Sequence, residues 1–174
     1  MRGAPFSKEL QGGDRRSIGN SNRIAAEVLR RPRRFAELIE CLWVDDPIVR
    51  MRAADAAEKV SVRRPELFYS YKKELLGLAD EATQAELRWH LALMIPRLRL
   101  DGAEREWARS TLRRYLRDDS SIVKTCALQG MAELAVGDAA AEAEMVKLLK
   151  RSGRAGTPAM KARSRKLLRR FQAA

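Results

Sequence analysis

Apolar residues recur along the chain at three- and four-residue spacing almost everywhere, and no segment alternates apolar and polar positions over more than a few residues. Phe35, Leu38, Ile39 and Leu42 share one helical face, as do Val49, Ala53, Ala57 and Val60. The pattern predicts an all-α protein.

The same pattern repeats. The segment beginning Val49-Arg50-Met51-Arg52-Ala53 is matched by segments beginning at Leu87, Val123 and Met160, spaced by 38, 36 and 37 residues. Each copy is apolar first and basic second, and the position eleven places on is Val60, Leu98, Leu134 and Phe171. At 3.6 residues per turn these positions form one continuous stripe. Asp46-Pro47 and Thr157-Pro158 place a capping side chain before a proline whose missing N–H costs nothing in the first turn. Thr83 with Glu86 reads as a capping box, and Asp119-Ser120 caps the third copy. A preceding helix fits each copy, over 32–44, 65–79, 103–117 and 139–151. A single helical pair cannot bury its own apolar face, so the expected architecture is a right-handed α-α superhelix of about four pairs, over 32–62, 65–99, 103–136 and 139–172. It occupies one domain, 21–174, with a half-repeat from Ser21 to Arg31. Residues 1–20, where Gly3, Gly12, Gly13 and Gly19 alternate with charges, are expected to be disordered and lack the apolar middle of a signal peptide.

Asp45-Asp46-Pro47-Ile48-Val49-Arg50, followed by the Ala-rich run to Ala57, resembles the second-helix signature of a HEAT repeat. The third copy keeps Asp118, Asp119, Val123, Lys124 and Ala127, the second lacks the Asp-Pro turn, and the fourth replaces the Ala run with Arg and Lys. The resemblance covers about Pro32 to Phe171 and implies a solenoid that presents surface, whose second helices line a concave side.

Charge then changes the picture. The 174 residues carry 35 Lys+Arg against 23 Asp+Glu, a formal charge of +12. Ten of the basic residues lie between Met145 and Ala174, where there is no acid, so the rest of the chain is nearly neutral. No apolar run approaches the roughly 20 residues of a membrane span. Cys41 and Cys126 sit singly inside apolar helical patterns, which gives no disulfide framework or zinc spacing and fits a cytoplasmic chain.

Candidate chemistry is sparse. His90 is the only histidine, so no histidine-based triad or multi-histidine metal site can be assembled, and no phosphate loop or nucleophile elbow is present. No catalytic residue, metal or cofactor is therefore expected. Met51, Trp89, Leu93 and Leu128 point away from the apolar stripes and form the candidate partner-binding patch on the concave side. The alternative is that a terminal segment or an oligomeric neighbour covers it. The basic column Arg50, Arg88, Lys124 and Lys161 is either part of a phosphate-binding stripe or, as the resemblance to HEAT repeats implies, a structural ladder to the turn acids Asp46 and Asp119. The last helix is amphipathic, with Lys161, Arg163, Arg165, Lys166, Arg169 and Arg170 around Met160, Leu167, Leu168 and Phe171. It is either a docked cap or an element that swings out at Gly153 and Gly156 to bind an acidic partner, nucleic acid or an anionic membrane.

Two functions follow as expectations: a non-enzymatic protein-binding adaptor, or a nucleic-acid-binding protein led by the basic end. Some HEAT-like solenoids are DNA glycosylases for alkylated bases, and others act as lyases on tetrapyrroles. No Trp–Asp pair of the first kind can be placed in this chain, so no catalytic residue is carried over.

Overall fold

The computed structural model describes residues 5–14 and 16–172. Among them there are ten α-helices and no strand: α1 (Phe6–Leu10), α2 (Ser21–Arg30), α3 (Phe35–Glu40), α4 (Pro47–Arg63), α5 (Lys72–Glu81), α6 (Ala85–Met94), α7 (Gly102–Tyr115), α8 (Ser121–Ala135), α9 (Ala139–Ala155) and α10 (Pro158–Gln172). Tighter 3-10 segments run over Pro32–Arg34, Pro65–Tyr71 and Ile95–Arg97.

Local chemistry sets several helix starts. The Asp46 carboxylate accepts from the N–H groups of Ile48 and Val49, the Ser120 hydroxyl from Val123 and the Thr157 hydroxyl from Met160, each satisfying a first-turn donor. The expected capping box at Thr83 does not form, since α6 starts after Gln84 with no side-chain cap. A box exists instead at Asp101 and Glu104, which cap each other's backbone N–H at 2.9 Å. The helices expected at 32–44 and 65–79 are shorter than the sequence pattern suggests. Each begins with Pro in a 3-10 segment, and α3 closes at Glu40.

The chain divides into two compact units. One comprises the residues up to Lys72 with Arg97–Arg99, and the other Lys73–Pro96 with Leu100 onward.

In the first unit α4 is the central helix, packed by α1, α2, α3 and the 65–71 segment. Ala53, Ala54, Ala56 and Ala57 are all buried, which lets neighbouring backbones come close. Phe35 of α3 meets Phe68 edge-on at 4.5 Å and Tyr71 at 5.6 Å. The expected disorder of residues 1–20 is corrected over the part described, residues 1–4 and 15 lying outside the described residues. Phe6 and Leu10 of α1 are fully buried, and the Arg34 guanidinium lies 3.8 Å from the Phe6 ring centroid. The loop that follows is held by Arg52, which is only 3% exposed. Its guanidinium donates to the backbone carbonyls of Leu10 (2.7 Å), Gln11 (3.4 Å), Gly12 (2.5 Å), Asp14 (3.1 Å) and Ser17 (3.0 Å). Wrapping a chain this tightly needs left-handed backbone: Gly12 and Gly13 both have φ of 75°, and Gly19 has 51°. A Cβ at Gly19 would stand 2.9 Å from the Arg52 Cζ. Gly12, Gly13 and Gly19, which suggested disorder, are the ones the wrapped conformation requires.

In the second unit α8 lies between two sets of neighbours, α6 and α7 on one side and α9 and α10 on the other. Val123, Ala127 and Leu134 are the stripe expected from the sequence, and Leu128, Ala132 and Ala135 form a second buried face that joins Met145, Leu149, Met160 and Leu167 in one core cluster. Gly130 is where α8 meets α6, since an added Cβ would run into the Ala92 carbonyl. α7 is anchored to the end of α5 through Thr111 to Asp80 (2.8 Å), Arg114 to the same carboxylate, and the Tyr115 hydroxyl to the Ala79 carbonyl (2.5 Å). Gly153 is no hinge. α9 runs through it, and Ser164 of α10 sits 3.8 Å from where its Cβ would be, so it belongs to a small-residue seam between α9 and α10 with Ser152 and Ser164, both buried.

Candidate functional site

In the second unit α8 packs against α6 and α10. α7 and α9 stand apart and leave an open cleft of about 800 Å³. Arg105 and Arg109 near the start of α7 donate to the Leu134 carbonyl at the end of α8, at 3.2 and 3.3 Å. α9 begins just beyond that end, capped by Asp138, so α7 and α9 run in the same direction. Leu116 just after α7, Met131 and Ala135 of α8, Met145 and Leu148 of α9 and Met160 of α10 make an apolar floor.

The walls are charged and asymmetric. Towards the helix starts, Arg109 pairs with Asp138 at 3.2 Å, and Arg113, in the last turn of α7, stands 3.7 Å from both Glu106 and Glu144. The hydrogen bond from the Ala141 N–H, helped by Arg109, holds the Asp138 carboxyl below the usual carboxylate range. Towards the helix ends stand Arg117, Lys147 and Arg151, all exposed and, among the described residues, without an acidic partner. The sequence pattern alone does not bring α9 opposite Arg113 and Arg117. The available signal was the i, i+4 spacing of Lys147 and Arg151 beside Leu148 in an acid-free segment.

The patch expected on the second helices is not assembled. Met51 (7% exposed) and Leu128 (0%) are core residues, because α4 and α8 are central helices with neighbours on more than one side. Trp89 and Leu93 are half-buried, with the Trp89 ring 5.7 Å from the ring of half-buried His90.

The basic column has a structural role in two copies. Arg50 donates to the Val44 carbonyl at 3.0 Å and Arg88 to the Ala82 carbonyl at 2.7 Å, each reaching back six residues into its own turn. Arg88 also reaches forward 2.5 Å to Asp118. The acceptor is therefore Asp118 and not the expected Asp119, which is exposed, while Asp46 serves as a helix cap. Lys124 is half-buried at the start of α8.

On α10, Lys161 and Arg163 are half-buried, and Arg165, Lys166, Arg169 and Arg170 are exposed. Arg163 donates to Gln129 at 2.7 Å, and Gln129 in turn to Glu133 at 2.6 Å, tying α10 to α8. A second, polar hollow of about 350 Å³ surrounds the Arg88–Asp118 and Arg114–Asp80 pairs. The Arg114 and Thr111 hydrogen bonds hold the Asp80 carboxyl below its usual value. Burial pushes the Cys41 thiol up to about 11, so it stays protonated at neutral pH.

Among the described residues no cluster of three His, Cys, Asp or Glu is placed to hold a metal ion, and no helix is long and apolar enough to cross a membrane. No protein-family model matches the chain, and neither a curated protein nor a solved structure shows significant similarity to it.

Proposed function

We propose that the chain is a right-handed α-solenoid of about four HEAT-like helical pairs that works as a protein-binding module, holding a partner without making or breaking a bond. The cleft between α7 and α9 carries this reading. Sites for small molecules are enclosed pockets that bury most of the ligand among apolar and aromatic side chains. Here the cleft is open and has no aromatic lining, and charges flank an apolar floor, which is the layout of an interface with an apolar centre and polar rim. The solenoid is supported by the 36–38 residue period and by the repeated reach of Arg50 and Arg88 into their own turns.

The test is capture of partners from native extract on the immobilised full chain, comparing three proteins. Ala140→Trp fills the cleft from an exposed position at its wall, and Trp89→Ala with Leu93→Ala removes the α6 strip. A partner lost with the first and kept with the second supports the cleft. A partner kept by both rules out the two surfaces together.

One observation favours nucleic acid as a second reading. The acid-free segment after Met145 exposes Lys147, Lys150, Arg151, Arg154, Arg165, Lys166, Arg169 and Arg170. Binding led by phosphates weakens steeply as salt rises. A mobility-shift titration with no complex at low salt removes this reading.

A further inference from the structure

Resting on the reading of the cleft as a docking surface, we propose that its occupant is an amphipathic α-helix carrying acidic residues towards one end. Three observations define this partner. The first is shape. α7 and α9 run in the same direction with α8 beneath them, so a further helix laid between them has two walls and a floor. A helix is roughly 10 Å across and rises 1.5 Å per residue, so about 800 Å³ accommodates about seven residues, or two turns.

The second is the floor. Met131, Met145 and Met160 are three of its apolar side chains. Methionine is flexible and polarizable, and floors of this kind adapt to the apolar face of a helix with anchors at i, i+3 or i+4, and i+7.

The third is charge. Each acid of the cleft, Glu106, Asp138 and Glu144, already faces an arginine, whereas further towards the C-terminal ends of the two helices Arg117, Lys147 and Arg151 have none to face. Glu or Asp on the occupant at that end meets them, and basic residues there are repelled, which fixes the direction in which the helix lies. Nucleic acid fits this cleft poorly. None of its lining residues is aromatic, so bases have no stacking platform, and the Leu and Met floor offers phosphates no donor.

The experiment selects binders to the full chain from a displayed library of 16-residue peptides with random positions. The expected sequences place large apolar residues at helical spacing and Asp or Glu at one end. They are expected to bind about tenfold more weakly to the triple variant Arg117→Gln, Lys147→Gln, Arg151→Gln, the sum of three exposed charge pairs, and to lose binding to Ala140→Trp. All four substituted residues are exposed, and circular dichroism checks that helicity is kept. Enrichment of neutral or basic peptides, of no cleft-dependent peptide, or of peptides indifferent to the triple variant overturns the proposal. If extract partners still depend on the cleft in that case, the protein-binding reading survives without the acidic helix. If Ala140→Trp affects neither peptides nor extract partners, both fail.

Discussion

Arg52 shows how far a side chain's role can depend on partners that sequence does not display. A guanidinium that is only 3% exposed is costly unless its donors are satisfied, and here five backbone carbonyls between Leu10 and Ser17 satisfy them. Arg52→Met keeps the stem and removes the head, so the loop loses its anchor and its carbonyls lose their donor. The expected cost is about 2–4 kcal/mol, read as a lower urea midpoint, together with faster amide exchange over residues 10–17. An unchanged midpoint shows that the loop is held by α1 alone. Asp80 gives a pH-dependent counterpart. Its carboxyl is held below the usual 3.8 by the Arg114 hydrogen bond and then by Thr111. A depressed folded-state value contributes stability above pH 4 that is lost as pH falls through it. Acid titration by circular dichroism should therefore show the wild type losing stability below about pH 4 more steeply than Asp80→Asn, with little difference between their slopes near neutral pH.

At the scale of elements, caps and stripes read well from sequence, and the contacts made by opposite faces do not. Asp46, Ser120 and Thr157 cap as their residue types suggest, because a cap is a contact within three residues. Leu128 was misplaced because a stripe reveals one packed face, whereas a helix flanked on both sides is apolar all round and its periodicity fades. Gly130 belongs to the same class. As an isolated helix substitution, Gly130→Ala gains about 1 kcal/mol. Here the added methyl meets the Ala92 carbonyl, Leu112 Cδ1 at 3.1 Å and Pro96 Cγ at 3.3 Å. The carbonyl is backbone and cannot rotate away, so overpacking at roughly 1–3 kcal/mol or more outweighs the propensity gain. Gly130→Ala should lower the melting temperature, while the control Gly77→Ala, with open space around its Cβ position, should raise or preserve it.

At the scale of the molecule, the excess of +12 invites one question that sequence leaves open, whether the basic end is a structural cap or a mobile arm. The acid-free run was legible, and so was the amphipathic face of α10. The cleft was not, because it is formed by Arg117 and Lys147 from different repeats, brought opposite each other only when α7 and α9 splay. In the structure the apolar and basic faces of α10 have separate tasks. Met160 and Leu167 join the core cluster with Leu128, Met145 and Leu149, while Arg165, Lys166, Arg169 and Arg170 stand in solvent with no ion pair among the described residues. Fold and charge should therefore separate cleanly on mutation. Leu167→Asp places a carboxylate in a site that is 3% exposed and should cost at least about 3 kcal/mol, with dye-binding apolar surface appearing. Reversing the four exposed cations to Glu moves the formal charge from +12 to +4 and breaks no ion pair seen among the described residues, so the melting temperature should stay within a few degrees. The same reversal should abolish retention on an anionic column at moderate salt, since these four side chains supply much of the cationic surface at that end. If the reversal unfolds the protein, α10 is held by its charges after all, and not by the contacts of Met160 and Leu167 in the core cluster.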